Sequence, residues 1–508
     1  MACASPINRL LPALAAIVLL LPAAFEAHAE PCPVDPSPDK PQNATRDKPN
    51  ILFFFVDDQP YNTLGCTGNE VIRTPSIDEL ADRGLVFDNA YIMGGTSPAV
   101  CSPSRAMLFS GKTLWNLDNQ GMWGFEIDQD TTTFPQVFKE AGYTTWATGK
   151  NEPGKAGHFI RSFSVGDKIM FRGMTRSQYN IPLYEYPADG TFKGKKPVNH
   201  TGKHSAEIYA DAATNFLKSH AADAPPFFMY VSFQTPHDPR QSPPEYRAAY
   251  NEAKIPLPPA FMPEHPFDNG MLKIRDEKLA GFPRTEKEIK KHLADFYATM
   301  EHTDAQIGRV IDALKASGEW DNTIIVYTAD NGLALGSHGL MGKQNVYDHS
   351  VHVPLILAGP GLPKGERRDQ LCYLYDLIPT LIERAELEAP DTVEFKSLNN
   401  AIDDPDAEHR EHLYFAFMDW QRAVQKNGYK LIEYCVNGER RTQLFHLDED
   451  PHELMNLAED AEHADTLVEL RKLLIRESRH LNDGDTPSDF TSKMGESFWT
   501  TYHSKPRP

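Results

Sequence analysis

The stretch Asn50-Ile51-Leu52-Phe53-Phe54-Phe55-Val56-Asp57-Asp58 decides the fold. Its apolar part does not alternate with polar residues, as a strand with one wet face does. It is apolar throughout, which suits a strand buried on both faces inside a mostly parallel sheet. The run stops at two adjacent carboxylates. Asp57 and Asp58 at a buried strand end repel each other unless a cation neutralises them, so the pair reads as a metal site, with a cap of exposed acids as the plain alternative.

The same pattern recurs three times. Tyr143 to Thr148 reads as a strand ending in Gly149-Lys150, Phe227 to Phe233 leads into Thr235-Pro236-His237-Asp238, and Thr323 to Thr328 ends in Asp330-Asn331-Gly332. In open α/β sheets ligands bind beyond the carboxyl ends of the strands, so four polar clusters at four strand ends predict one crevice. The fold class is therefore α/β, a large mostly parallel sheet between helices. Leu293, Phe296, Tyr297, Met300, Ile307, Val310, Ile311 and Leu314 recur at helical spacing and predict one long helix or a helix pair flanking the sheet. Pro354 to Leu357 reads as a further strand. The Pro-rich segment from Pro236 to Pro283 reads as an irregular excursion over the mouth of the crevice.

A second stretch carries the chemistry. Thr96 to Lys112, TSPAVCSPSRAMLFSGK, has Pro103 where a first helical turn would place it and Gly111 just past the apolar run. Cys101 would then sit at a helix N-terminus, where free N–H groups and the dipole favour negative charge, and Arg105 one turn on adds a fixed cation. On physics alone this is an anion-binding, reactive-cysteine site; a structural cysteine beside a surface arginine is the competing account of an isolated motif.

Composition narrows the class. The chain has 508 residues and a formal net charge of −20, which argues against nucleic acid or an anionic membrane surface as the main partner but leaves an anionic substrate open. Arg9, the apolar run Leu10 to Leu21 and Ala27-His28-Ala29 read as a signal peptide over residues 1–29, followed by a leader over 30–48. A secreted or periplasmic protein without a stable membrane anchor is expected, since Pro12 and Pro22 interrupt the run and no later stretch is long enough to span a bilayer. Cys3 leaves with the signal. Cys32, Cys66, Cys372 and Cys435 allow three full pairings, none favoured by the sequence. An acidic, Pro-containing stretch from Asp391 to Asp406 divides a catalytic domain over 49–390 from a strand-rich C-terminal part over 391–508.

Cys101, Pro103, Ser104, Arg105, Phe109, Ser110 and Gly111 resemble, without gaps, the signature of the type I sulfatases of the alkaline phosphatase superfamily. The flavour is that of bacterial iduronate-2-sulfatase-like or choline-sulfatase-like enzymes. The resemblance implies an alkaline-phosphatase-like sandwich with a smaller C-terminal α+β subdomain. It also implies that a formylglycine-generating enzyme oxidises Cys101 to formylglycine, whose hydrated aldehyde attacks sulfur. Asp57, Asp58, Cys101, Asp330 and Asn331 match the metal positions. The four acid and amide side chains are hard oxygen donors suited to Ca²⁺ in preference to Mg²⁺. Arg105, Lys150 and Lys343 would neutralise the sulfate oxygens, and His237 would protonate the leaving oxygen, with Lys343 as its possible partner.

Leu444 to Glu453 followed by Asn456-Leu457 resembles the family's C-terminal subdomain, with His446 where Asp is usual. Two further departures stand out. Glu152 occupies the place of a His that many sulfatases carry two residues after the motif lysine, so Glu152 takes over as base, His158 reaches in, or activity is impaired. His352 stands where Arg is common, a change expected to touch packing or substrate contacts. The implied substrate is a sulfated carbohydrate, with Trp123, Tyr184 and the 236–283 excursion as candidate contacts. The rivals are a phosphonate or phosphate ester hydrolase of the same superfamily and a non-catalytic, sulfated-glycan-binding pseudoenzyme.

Overall fold

Strand β1 (Asn50–Asp57) is buried along its whole length, and the sheet is built outward from it. The computed structural model describes residues 48–117, 125, 127–151, 156–221 and 223–483; Cys32, Trp123, Glu152 and the segments read as signal and leader up to residue 47 lie outside them. In chain order the other strands of the main sheet are β2 (Leu85–Phe87), β3 (Thr144–Lys150), β4 (Val165–Met170), β5 (Phe227–Pro236), β6 (Thr323–Ala329), β7 (Leu355–Ala358) and β8 (Glu366–Arg368). Their order across the sheet is β8-β2-β7-β6-β1-β5-β3-β4. The run from β6 to β4 is parallel throughout, and β7 alone runs against its neighbours. A parallel sheet needs cover on both faces, which is why β1, β5 and β6 are buried at every position and carry near-continuous apolar runs rather than an alternating pattern.

The two faces can be told apart along β5. Phe228 and Tyr230 turn to one side, where Phe228 meets Phe134 of helix α3 (Phe134–Glu140) and the Tyr230 hydroxyl meets Arg105 of helix α2 (Cys101–Ser110). Phe227 and Phe233 turn to the other and pack on Phe216 and Tyr209 of helix α5 (Ser205–Ser219). Helix α4 (Ala156–Ser162) joins the α2/α3 layer, and α1 (Pro75–Asp82) and α6 (Glu286–Ser317) join α5. Of the two alternatives for the amphipathic segment, the single long helix is the one formed. Thr285 caps its N-terminus by accepting the Glu288 N–H, and Gly318 ends it at φ +81°. Among the described residues no helix is long and apolar enough to cross a membrane.

A second sheet carries β9 (Leu413–Phe417), β10 (Gln421–Lys426), β11 (Tyr429–Val436) and β12 (Glu439–His446), an antiparallel meander whose β9 edge pairs in parallel with Gly94–Gly95. Gly94 is required there: at φ +91° a Cβ would stand 2.0 Å from the Ala416 carbonyl oxygen. This seam lies just ahead of Cys101 in the chain, so the second sheet braces the segment that leads into α2. Helix α7 (Ala464–His480) covers the meander. Between Pro236 and Pro283 the chain forms short helical turns and one isolated bridge, Phe261 to Ser337, as expected for an excursion.

One of the departures from the family pattern has a packing role. His352 lies stacked between Tyr61 and Tyr91 at ring separations of 4.1 and 4.5 Å, with Nε2 2.7 Å from the Asp88 carbonyl, so it packs. His446 is partly exposed on β12, with Nδ1 3.5 Å from the Glu449 carboxylate. Cys66, Cys372 and Cys435 are free thiols among the described residues.

Asp304 of α6 accepts the Ser76 and Ile77 N–H groups, at 3.1 and 2.8 Å, and so caps α1 from a neighbouring helix. Burial pushes its carboxyl up to about 7, against the pull of those N–H donors. An unfolded aspartate titrates near 3.9, so between roughly pH 4 and 7 the native state holds a proton that the unfolded state has lost. The corresponding stabilisation is present below pH 4 and disappears as pH rises through 7. Urea midpoints of the wild type should therefore fall between pH 5 and pH 8 more steeply than those of Asp304→Asn; parallel pH profiles would refute the assignment.

Candidate active site

Four strand ends and one helix start converge. β1 delivers Asp57 and Asp58, β3 delivers Lys150, the turn after β5 delivers His237, the turn after β6 delivers Asp330 and Asn331, and α2 begins at Cys101. The sequence reading expected this crevice, and all of these residues are buried. Alternation along a strand would send the Asp57 and Asp58 side chains to opposite faces. Asp58 instead takes a left-handed conformation at φ +68°, a region Asp tolerates better than most residues, and both carboxylates reach one cluster. Ligand atoms of Asp57, Asp58 and His237 lie within 4.8 Å of one another, as do those of Asp57, Cys101 and Asp330.

Each carboxylate has its own cation. Lys150 Nζ is 2.6 Å from Asp57 Oδ2, Arg105 Nε is 2.8 Å from Asp330 Oδ2, and Lys343 Nζ bonds Asp58 Oδ1. Arg105 is held through Nε and Nη1, which donates to Ser232 Oγ at 2.7 Å and to the Lys150 carbonyl at 3.1 Å, and its guanidinium lies 4.7 Å from the Phe55 ring centre; Nη2 is buried without a hydrogen-bond partner. Gly149 makes the approach of Lys150 possible, because at φ +89° a Cβ would stand 1.8 Å from the Ser232 carbonyl oxygen. Asn331 donates from Nδ2 to Asp58 Oδ1 at 2.8 Å. His237 Nδ1 lies 2.8 Å from the Asp238 carbonyl, which leaves Nε2 facing Asp58 Oδ2 at 3.8 Å.

The electrostatics are uneven. Burial alone would raise the Asp58 carboxyl, but Lys343 and then His237 hold it well below the usual carboxylate range. Asp330 is pushed up to about 6 by burial and by the charge of Asp57, against the pull of Arg105. At separations near 5 Å two unit charges interact by roughly 3 kcal/mol at an effective dielectric of about 20, so three crowded carboxylates remain under strain even with three cations attached. Asp57 Oδ1 and Asn331 Oδ1 are buried with no hydrogen-bond partner. Unmet lone pairs on hard oxygen donors within a carboxylate cluster fit a hard divalent cation.

The remaining expectations fall differently. Glu152 and Trp123 lie outside the described residues. His158 is buried on α4, with its ring against Phe109 of α2 and Nε2 3.4 Å from Asn151 Nδ2. Tyr184 packs its ring on Phe171 and Phe192, at 5.4 and 5.9 Å, inside an aromatic cluster. Sequence reasoning also missed a support for Lys343. Buried Glu277, in the excursion, accepts the Met341 and Gly342 N–H groups, each at 2.9 Å, and is itself gripped by buried Arg284. Gly342 must lack a side chain, since a Cβ would come within 2.9 Å of Asp276 Cβ and 3.0 Å of Glu277 Oε1. Nothing in the local pattern around Asp276-Glu277 separates this clamp from a surface acidic pair; only Ser232, polar inside an apolar strand, carried a readable signal.

Comparison with known proteins gives consistent matches. The family model described as Sulfatase matches residues 49–387, and the one described as N-sulphoglucosamine sulphohydrolase, C-terminal, matches 336–480. An arylsulfatase of Clostridium perfringens is 28% identical over 485 residues, covering 86% of this chain and 96% of its own. An N-acetylglucosamine-6-O-sulfatase of Bacteroides thetaiotaomicron is 25% identical, covering 88% and 89%. A solved structure in complex with its substrate D-glucosamine-2-N,6-O-disulfate superposes with a TM-score of 0.72 at 25% identity, over 87% of this chain and 99% of that one.

Glu277→Gln puts an amide N–H₂ in place of one of the two oxygens that each accept a backbone N–H, leaves that donor unmet and should loosen the loop that carries Lys343. The expected result is a tenfold to hundredfold loss in kcat/KM on a sulfate ester, of the order that about 1 Å of misplacement costs, with the urea midpoint little changed. Equal losses in activity and in midpoint would reduce Glu277 to a purely structural residue.

Proposed function

The chain belongs to the sulfatase family, and from that premise we propose that it cleaves sulfate esters on a sulfated carbohydrate, using a formylglycine derived from Cys101 and a calcium ion. It is a sulfuric ester hydrolase with the alkaline-phosphatase-like α/β fold. The observation that carries the proposal is the convergence of Cys101, three carboxylate–cation pairs and two unpartnered oxygens on one buried point. The carbohydrate assignment draws on a relative named as an N-acetylglucosamine-6-O-sulfatase and on the neighbour that binds a glucosamine disulfate. Residues 49–390 carry the catalytic groups on this reading, and residues 1–29 direct export.

Asp57, Asp58, Asp330 and Asn331, with residue 101, would hold the calcium, which when bound supplies fixed positive charge beside the sulfate oxygens. Residue 101, once oxidised to formylglycine and hydrated, supplies an oxygen nucleophile at the start of α2. The chain's own groups then have distinct tasks. Arg105 orients Asp330 and adds charge behind it. Lys150 and Lys343 hold anionic oxygens without needing to move, since each is already fixed by a carboxylate. With Nδ1–H committed to the Asp238 carbonyl, a protonated His237 has one free proton, on Nε2, and donates it to the oxygen that leaves as the bond to sulfur breaks. Glu152 or His158 is the base for residue 101.

Sulfate release from an aryl sulfate and from defined sulfated saccharides, with conversion of residue 101 checked by mass spectrometry, tests this reading. Cys101→Ala should lose at least about a thousandfold in kcat. Glu152→Gln or His158→Ala should lose tenfold or more, and unchanged rates in both would remove both as base. Faster turnover of an aryl phosphate would assign the phosphate ester activity instead, and tight glycan binding by fully converted protein without sulfate release would mean a binding protein.

Calorimetric titration of chelator-treated protein with Ca²⁺ should show one site per chain. Asp330→Asn should weaken it at least about tenfold, and an unaltered isotherm would remove Asp330 from the ligand set.

A further inference from the structure

One basic segment is used neither by the fold nor by the chemistry. Between Val165 and His204 the chain has seven Lys and Arg residues against three Asp and Glu, in a protein whose net charge is −20. The acids are already engaged: Asp167 and Glu185 pair with Lys168 at 3.0 and 3.2 Å, and Asp189 pairs with Lys195 at 2.8 Å, while Lys203 pairs with Asp211 further on. Arg172, Arg176, Lys193 and Lys196 remain exposed, with no ion-pair partner among the described residues. A run of surface charge is ordinarily just solvated. Position and rigidity set this one apart.

The loop that bears Arg172 and Arg176 follows β4, on the edge of the sheet where the strand ends form the site. Buried Gln178 ties it to the catalytic turn by donating from Nε2 to the His237 carbonyl at 3.4 Å and the Pro239 carbonyl at 3.3 Å. Exposed Met174, between the two arginines, has Sδ 3.2 Å from Arg275 Nη1, and Arg275 clasps Asp238, the neighbour of His237, through bonds of 2.8 and 2.9 Å. Lys193 and Lys196 come from the connection of the hairpin formed by Asn180–Leu183 and Val198–Thr201. The Phe171 and Phe192 rings meet at 4.9 Å, so Arg172 and Lys193, each the next residue in sequence, are carried on adjoining segments of one packed cluster.

We propose that Arg172, Arg176, Lys193 and Lys196 form an anion-binding arm at the rim of the site, which holds further negative groups of a polymeric substrate while one sulfate enters the crevice. The preferred substrate class is then a polyanionic glycan chain rather than a small monosulfate. The inference rests on the sulfatase reading of the site. An exposed cation paired once contributes little, but several on one arm produce a local field that a ligand with repeated charge collects at every contact. That field is screened over about 8–10 Å at physiological salt, so the effect must be salt-dependent.

Dextran sulfate serves as the polyanion probe and neutral dextran as its control. Dextran sulfate should inhibit aryl sulfate hydrolysis by the wild type, with inhibition weakening as salt rises. In the variant with all four residues changed to Ser, the inhibitory concentration should rise about tenfold and the salt dependence should flatten. The variant Arg172→Lys, Arg176→Lys, Lys193→Arg, Lys196→Arg should behave as wild type. Calorimetric binding of dextran sulfate, which needs no turnover, should follow the same order, so a protein without sulfatase activity still tests the arm. Equal inhibition and equal binding in the wild type and the Ser variant, or no binding at all, would overturn the proposal.

Discussion

Three carboxylates crowded at the ends of buried strands are the constraint on which the rest of the structure depends. Asp57, Asp58 and Asp330 lie where water cannot reach them, and each left alone would be driven towards its neutral form. The fold answers with one cation apiece, Lys150, Lys343 and Arg105, each brought from a different element. The compensation is incomplete, as the raised carboxyl of Asp330 and the unpartnered oxygens of Asp57 and Asn331 record. What remains are buried oxygen donors without a partner, which a divalent cation would satisfy.

That constraint explains several local oddities at once. Asp58 adopts a left-handed backbone because two successive strand residues cannot otherwise face the same point. Gly149 and Gly342 lack side chains because the chain must approach a carbonyl or a clamp closely to aim the next lysine. Glu277 and Arg284, far from the strand ends in sequence, hold the loop that precedes Lys343. In each case the backbone is arranged for a charged tip several bonds away, and binding a small anion demands that kind of rigidity.

Much of this was legible beforehand, for an identifiable reason. A strand buried on both faces carries a near-continuous apolar run, so β1, β5 and β6 announced themselves, and the polar clusters that follow those runs marked the strand ends. Pro103 and Gly111 bracketed α2, and Thr285 and Gly318 bracket α6, because capping is a local matter. The Glu277 clamp was not legible: an acidic pair in a Pro-rich excursion has the same local pattern whether it meets solvent or two backbone N–H groups. His352 was legible only as a departure, and its stacking between Tyr61 and Tyr91 could not be read from residues so far apart in sequence.

By itself, then, the sequence determined the α/β class, the strands that converge, the helix that starts at Cys101 and the residue types collected there. Burial and capping act over a few neighbouring residues and leave a periodic trace. The tertiary structure alone decided which cation serves which carboxylate, that the 236–283 excursion grips the Lys343 loop, and that the basic segment after β4 is tied to the turn carrying His237. Pairing, clamping and the placement of surface charge depend on distances between residues as much as hundreds of positions apart, such as Asp58 and Lys343, and no periodicity encodes those distances.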